Sequence, residues 1–280
     1  MSASSLALIA SVLFALGTVL QQRGAMVAPS ATSSGFLGSI FGNPVWLAGG
    51  AAQVVGWVLQ ALALDRGQLM LVQPIISLQV VLALPLGIVL TNQRVHRREW
   101  LGAAAVIVAL AAFLALSNPT SGRGGAPGTT WLLAGLGVVA IATVLAALGA
   151  RRRPSEKAAF FGAAAGVLFG FQAAVTKAFT EIVPDGIGAI LHSWTTYALI
   201  ASAAIGFYFV QISLQAGVLA PSVATTNVTN PVTSVVLGRV VFHEVPARTP
   251  TGKVFSLLAL VVLVAGIVVV SLGEERERVT

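Results

Sequence analysis

Nine apolar stretches, each about as long as a bilayer core is thick, run through this chain with mostly short polar connections between them. They extend from Ser5 to Gln22, Pro44 to Leu64, Leu69 to Thr91, Trp100 to Ser117, Thr130 to Gly149, Ala158 to Thr180, Ile187 to Val210, Val218 to Phe242 and Thr251 to Leu272. A backbone in lipid must satisfy its own polar groups, so helices are the expected form, and the chain reads as an all-α polytopic membrane protein. Composition agrees, with 56% hydrophobic and 9% charged residues, against about 25% charged in a soluble domain. The 280 residues leave no room for a separate soluble domain, so residues 1–280 form a single transmembrane unit.

The net charge of +7 would suggest nucleic acid in a soluble protein. Here the basic residues sit in loops between apolar runs, which excludes that partner and makes them topology markers. Arg23, Arg94, Arg97, Arg98, Arg151, Arg152, Arg153, Lys157, Arg276 and Arg278 fall on one side of nine alternating spans; Arg66, Arg123, Arg248 and Lys253 fall on the other. The richer side is expected in the cytoplasm, placing the N-terminus outside and the C-terminus inside a plasma membrane. No basic residue precedes the first span, so it reads as a retained helix rather than a signal peptide. The connection from Gly24 to Asn43 contains GFLGSIFG, which reads equally as an interfacial segment or a Ser-rich loop.

Two apolar stretches carry proline pairs, Pro74 with Pro85 and Pro221 with Pro231, each followed by a polar turn and another span. An internal proline frees a carbonyl, which lipid tolerates only beside protein or water, so broken helices are expected at matching places in two halves. SVLFALGTVLQQRG from Ser11 also lies over GVLFGFQAAVTKAF from Gly166, with Gln22 falling on Lys177. Spans one to four then match spans six to nine. The odd fifth helix inverts the second copy, giving two four-helix repeats, residues 1–120 and 158–273, joined by a linking helix at 130–150.

Several motifs together mark a resemblance: the opening span ending in QQRG, VWLAGG, LVQPIISLQVV with its TNQRV turn, the lone lysine of GFQAAVTK, and NPVTSVVLGRVVFHE. The chain resembles the drug/metabolite transporter superfamily, the EamA-like carriers, and within it the nine-span NIPA-type magnesium transporters. The resemblance implies an inverted-repeat helical fold around a central cavity, and magnesium as one cargo. Where that branch ends its third span in Leu-Asn-Glu this chain has Gln93, and its Lys-rich end to the first span is replaced by Gln21, Gln22 and Arg23. The second acidic position is kept as Glu244.

All nine acids fall at span ends or in loops, which argues against a midplane carboxylate for proton-coupled cation export. The spans hold amides and hydroxyls instead, suited to a neutral or zwitterionic solute. Gln73, Pro74, Gln79, Gln172, Lys177, Thr226, Asn227, Asn230 and Pro231 are the expected pathway residues, with interhelical packing as the alternative role of each amide. The eighth span is expected to contribute more polar contacts than the third. Lys177 and Arg239 are intramembrane cations that either hold an anionic group or snorkel to the interface, and Arg239 has Glu244 as a near partner. Arg23, Arg239 and Glu244 read as gate or topology residues.

No nucleophile–base pair appears, the chain has no cysteine, and His96, His192 and His243 are scattered, so neither an enzyme nor a metal site or cofactor is expected. The five tryptophans read as an interfacial belt, and GAAAGVLFG as a helix-packing surface. The expected function is transport of a small polar solute by alternating access. Magnesium transport is one alternative, and a non-transporting scaffold or lipid-handling protein the other. The expected partners are the bilayer, the solute or ion, and a second copy as a homodimer.

Overall fold

A computed structural model describes residues 1–26, 42–91, 97–116, 126–215, 219–245 and 250–273. Among these the structure is helical: α1 (Ala3–Met26), α2 (Pro44–Arg66), α3 (Leu69–Ile76), α4 (Gln79–Thr91), α5 (Arg97–Leu116), α6 (Gly128–Ala150), α7 (Pro154–Thr180), α8 (Ile187–His192), α9 (Trp194–Gln215), α10 (Leu219–Val240) and α11 (Pro250–Gly273). Among the described residues, six apolar segments are long enough to cross a membrane: Ala3–Gly24, Pro44–Arg66, Leu69–Thr91, Gly128–Ala150, Pro154–Thr180 and Trp194–Ser213. Shorter apolar runs, Trp100–Phe113 and Leu257–Ile267, lie in α5 and α11. Large exposed apolar residues such as Val54, Leu133, Phe207 and Val261 cover the outside, as in a membrane-embedded protein. Gln93 and the GFLGSIFG segment up to Phe41 lie outside the described residues.

The prolines act differently in the two stretches that carry them. The third apolar stretch is interrupted at Ser77–Leu78, three residues beyond Pro74, where Leu78 N–H donates to the Ile75 carbonyl at 3.0 Å and Ser77 Oγ donates to the Gln73 carbonyl at 3.0 Å. Pro85 lies inside α4 without ending it. Pro221 stands in the first turn of α10, where a backbone N–H has no intrahelical acceptor to lose, and Pro231 sits inside an unbroken α10. One stretch is therefore broken rather than two. The seventh stretch also differs from its expected span. It divides at Ser193 into α8 and α9, and Thr196 and Tyr197 hydroxyls donate to the Ile190 and Leu191 carbonyls at that junction (2.5 and 2.8 Å).

α1 packs antiparallel on α2, and α7 on α9. Phe14 meets Gly56 and Gly17 meets Gly49 between α1 and α2, while Ser213 Oγ of α9 donates to the Ala158 carbonyl at the start of α7 at 2.5 Å. The central helix α7 instead runs parallel to α10. A side-chain carbon on Gly162, Gly166 or Gly170 would stand 2.5, 2.6 or 2.7 Å from the carbonyl of Ser222, Thr226 or Asn230, so only glycine admits this approach. Thr226 and Thr229 hydroxyls cross the seam to the Gly162 and Ala163 carbonyls (2.9 and 3.0 Å). Gly166→Leu should cost about 1–3 kcal/mol or more by overpacking, read as a lowered unfolding midpoint in detergent. Thr226→Val, which keeps the shape and loses the bond, should cost about 1 kcal/mol.

Candidate functional site

The chain leaves α10 through a sharp reversal. His243 adopts φ 53°, a left-handed conformation uncommon outside glycine, and Glu244 N–H turns back onto the Gly238 carbonyl at 2.9 Å. This brings the Glu244 carboxylate, 0% exposed, into the bundle. Its Oε1 accepts from Leu69 N–H at 2.8 Å and from Lys177 Nζ at 2.6 Å, and its Oε2 accepts from Met70 N–H at 2.7 Å. Those two amides are the first of α3, which starts after Gln68 with no side-chain capping bond of its own. A carboxylate from the far half of the sequence thus caps α3, satisfying two orphan donors and placing negative charge at the positive end of the helix. Gly238 leaves the room, since a side chain there would meet Glu244 Oε2 at 2.7 Å.

Lys177, the second member, comes from the last turns of α7. Its side chain is 16% exposed, and its ammonium lies 4.7 Å from the centroid of the Phe242 ring. Phe242 stacks edge-on against Trp131 at 5.8 Å, and Trp131 in turn against Phe171 (6.3 Å) and Trp194 (5.0 Å). The rings join the starts of α6 and α9, the later part of α7 and the turn after α10 in one cluster, which meets the ion pair through Phe242. Trp131 is half-buried in the first turn of α6. Trp57 departs from the belt, exposed in the middle of α2.

Gln73, one turn after Leu69 and on the same face of α3, is 2% exposed, and its Nε2 has no hydrogen-bond partner among the described residues. Its neighbour Pro74, also buried, deprives the Met70 carbonyl of its usual helical donor. Gln79 is half-buried at the start of α4, and so is Gln172 on α7, whose carbonyl accepts from Thr176 Oγ1 at 2.8 Å. Asn227 and Asn230 are half-buried and Pro231 buried on α10. Asn230 gives its carbonyl to Ser234 Oγ at 2.9 Å, and the Thr226 hydroxyl is engaged with α7 as above. Arg23 and Arg239 are exposed, on α1 and α10.

The structure thus joins Lys177 to Glu244, 67 positions apart, and leaves Arg239 at the surface. Sequence reasoning found all three residues but not this pairing, nor the role of Glu244 as a cap for α3. The usable signals were a lone lysine in a small-residue helix and a helix start at Gln68 with no good cap. Among the described residues, no three Asp, Glu or His side chains gather in one place.

No family model matches the chain, and no solved structure matches it. An uncharacterized protein of Corynebacterium glutamicum is 31% identical over 245 residues, which cover 85% of this chain and 83% of that protein. At that identity, across most of both lengths, the chain belongs to the same family as the Corynebacterium protein.

Proposed function

We propose that the protein is a multi-pass carrier that moves a small polar solute by alternating access between two inverted halves. The observation that carries this reading is Gln73. A buried amide with an unspent donor costs about 1–3 kcal/mol if nothing answers it, and it stands at the single helix interruption found in the third stretch. Interrupted helices near polar groups are where carriers place solutes.

Helix packing supports the two halves. α1 packs on α2 and on α3–α4, as α7 packs on α9 and on α10, while α5 packs on α11. The linking helix α6 separates the halves and reverses the second. Arg23 lies in the last turn of α1, Arg97 begins α5, and Arg151, Arg152, Arg153 and Lys157 stand where α6 passes into α7, which fits one cytoplasmic side of alternating spans in the plasma membrane and an outside N-terminus. The drug/metabolite transporter resemblance belongs to the same proposal.

Purified protein in liposomes tests the reading against a panel of labelled neutral and zwitterionic solutes and magnesium. Saturable uptake of one polar solute, lost in Gln73→Leu and lowered in Asn230→Ala, is the expected result. Magnesium influx alone would transfer the reading to the ion. No uptake and no ligand-induced stabilisation across the panel would leave a scaffold or lipid-handling role.

A further inference from the structure

Glu244 bonds across the boundary that the proposed carrier has to open. Lys177 on α7, Phe242 and Glu244 after α10 all belong to the second half, whereas the α3 amides that Glu244 receives belong to the first. We propose that Glu244, held by Lys177, is a latch that closes the pathway at this end by pinning the N-terminus of α3. The latch rests on the carrier reading for its purpose, though not for its test.

Four features make this contact a latch rather than a general brace. Glu244 itself makes two bonds across the boundary, from Leu69 and Met70 N–H, while the Lys177–Glu244 pair lies within one half and survives opening. The carboxylate therefore never loses its counter-charge, and the large penalty of an isolated buried charge is avoided in both states. Second, α3 is a separate eight-residue piece, bounded by Gly67 and by the Ser77–Leu78 interruption, so it can tilt without carrying α4 with it. Third, the left-handed His243 and the Glu244-to-Gly238 backbone bond fix the latch residue from its own side, an over-determined turn of the kind found at switch elements. Finally, the Glu244 carboxylate is fully buried, and the Phe242 ring that lies against the Lys177 ammonium is itself backed by Trp131, so the latch residue is out of water while latched.

The chain has no cysteine, so one introduced thiol reports alone. Leu69→Cys keeps the backbone N–H that the latch uses and replaces a side chain that is fully buried; Leu263→Cys, equally buried on α11, reports elsewhere. In liposomes treated with a membrane-impermeant maleimide, adding Glu244→Gln should speed labelling at position 69 by about tenfold or more, since losing about 1.4 kcal/mol of closure shifts the open fraction that far. Labelling at 263 should not change, and Lys177→Arg should keep position 69 slow. An unchanged rate at 69, or a parallel rise at both positions, overturns the latch.

A cross-link supplies the independent arm. The Met70 Cβ lies 3.5 Å from where a Gly238 Cβ would stand, within disulfide reach. A side chain at position 238 displaces the Glu244 carboxylate, so the reduced Met70→Cys/Gly238→Cys protein is unlatched and should take up solute, whereas its oxidised form ties α3 to α10 covalently in the carboxylate's place and should lose uptake; persistent uptake in the oxidised form overturns the latch. If neither the reduced form nor the wild type takes up any solute, the carrier reading fails and the labelling alone decides the latch.

Discussion

Glu244→Ala is expected to destabilise the protein by about 3–5 kcal/mol, the range found when one member of a buried ion pair is removed. Three donors lose their acceptor at once: the ammonium of Lys177 and the Leu69 and Met70 amides. Lys177→Met should cost less, because the carboxylate then keeps two backbone donors at a helix N-terminus, where negative charge is favoured. The two effects should not add, and a coupling of about 0.5–3 kcal/mol is expected from the double mutant, as for groups sharing one network. The decisive variant is the exchange Lys177→Glu/Glu244→Lys. It restores opposite charges but sets an ammonium against two N–H donors and the positive end of α3, so stability should stay near that of Glu244→Ala. Recovery to wild-type stability, read by thermal unfolding in detergent micelles, would mean the ion pair alone matters and the cap does not.

The second large effect is a divergence between stability and uptake. Gln73→Leu removes a buried amide whose Nε2 has no partner among the described residues and substitutes an apolar side chain of similar volume. Folding should be unchanged or stabilised by about 1–2 kcal/mol, since the desolvation of an unanswered donor disappears. Saturable uptake should vanish in the same protein, as when a strained functional group is traded for packing. A fall in the unfolding midpoint would show that the amide is satisfied in the folded protein, and its assignment to the solute pathway would fail.

Most of the helices were legible because lipid leaves a backbone so few options. The stretches read from hydropathy coincide with α1, α2, α5, α6, α7, α10 and α11 to within a few residues. The seam of GAAAGVLFG was legible too, since its glycines recur every fourth residue, and that spacing lines one helical face. What the sequence hid was longer in range or finer in geometry. Pro231 carries the same letter as Pro74, yet its helix continues while the other is interrupted, and local sequence does not report which neighbouring helix supports the weakened turn. The division at Ser193 lies inside an apolar run, where hydropathy has no contrast to register it. In the sequence Glu244 simply follows an apolar run, at a span end like the other acids. Its burial depends on amides 175 and 174 positions earlier in the chain, and no window along the sequence contains both.

The seam between α7 and α10 has the properties of a vernier. Ala158, Gly162, Gly166, Gly170 and Ala174 stand at four-residue intervals on one helix, and Ser222, Thr226, Asn230, Ser234 and Gly238 do so on the other. A slide of four residues, about 6 Å, would set small residues against small residues again, and its hydroxyls would meet equivalent carbonyls. The seam by itself therefore specifies closeness but not register. Register is set at one end, where Lys177 near the end of α7 meets Glu244 just after α10, so this ion pair determines which rung of the ladder the two helices occupy.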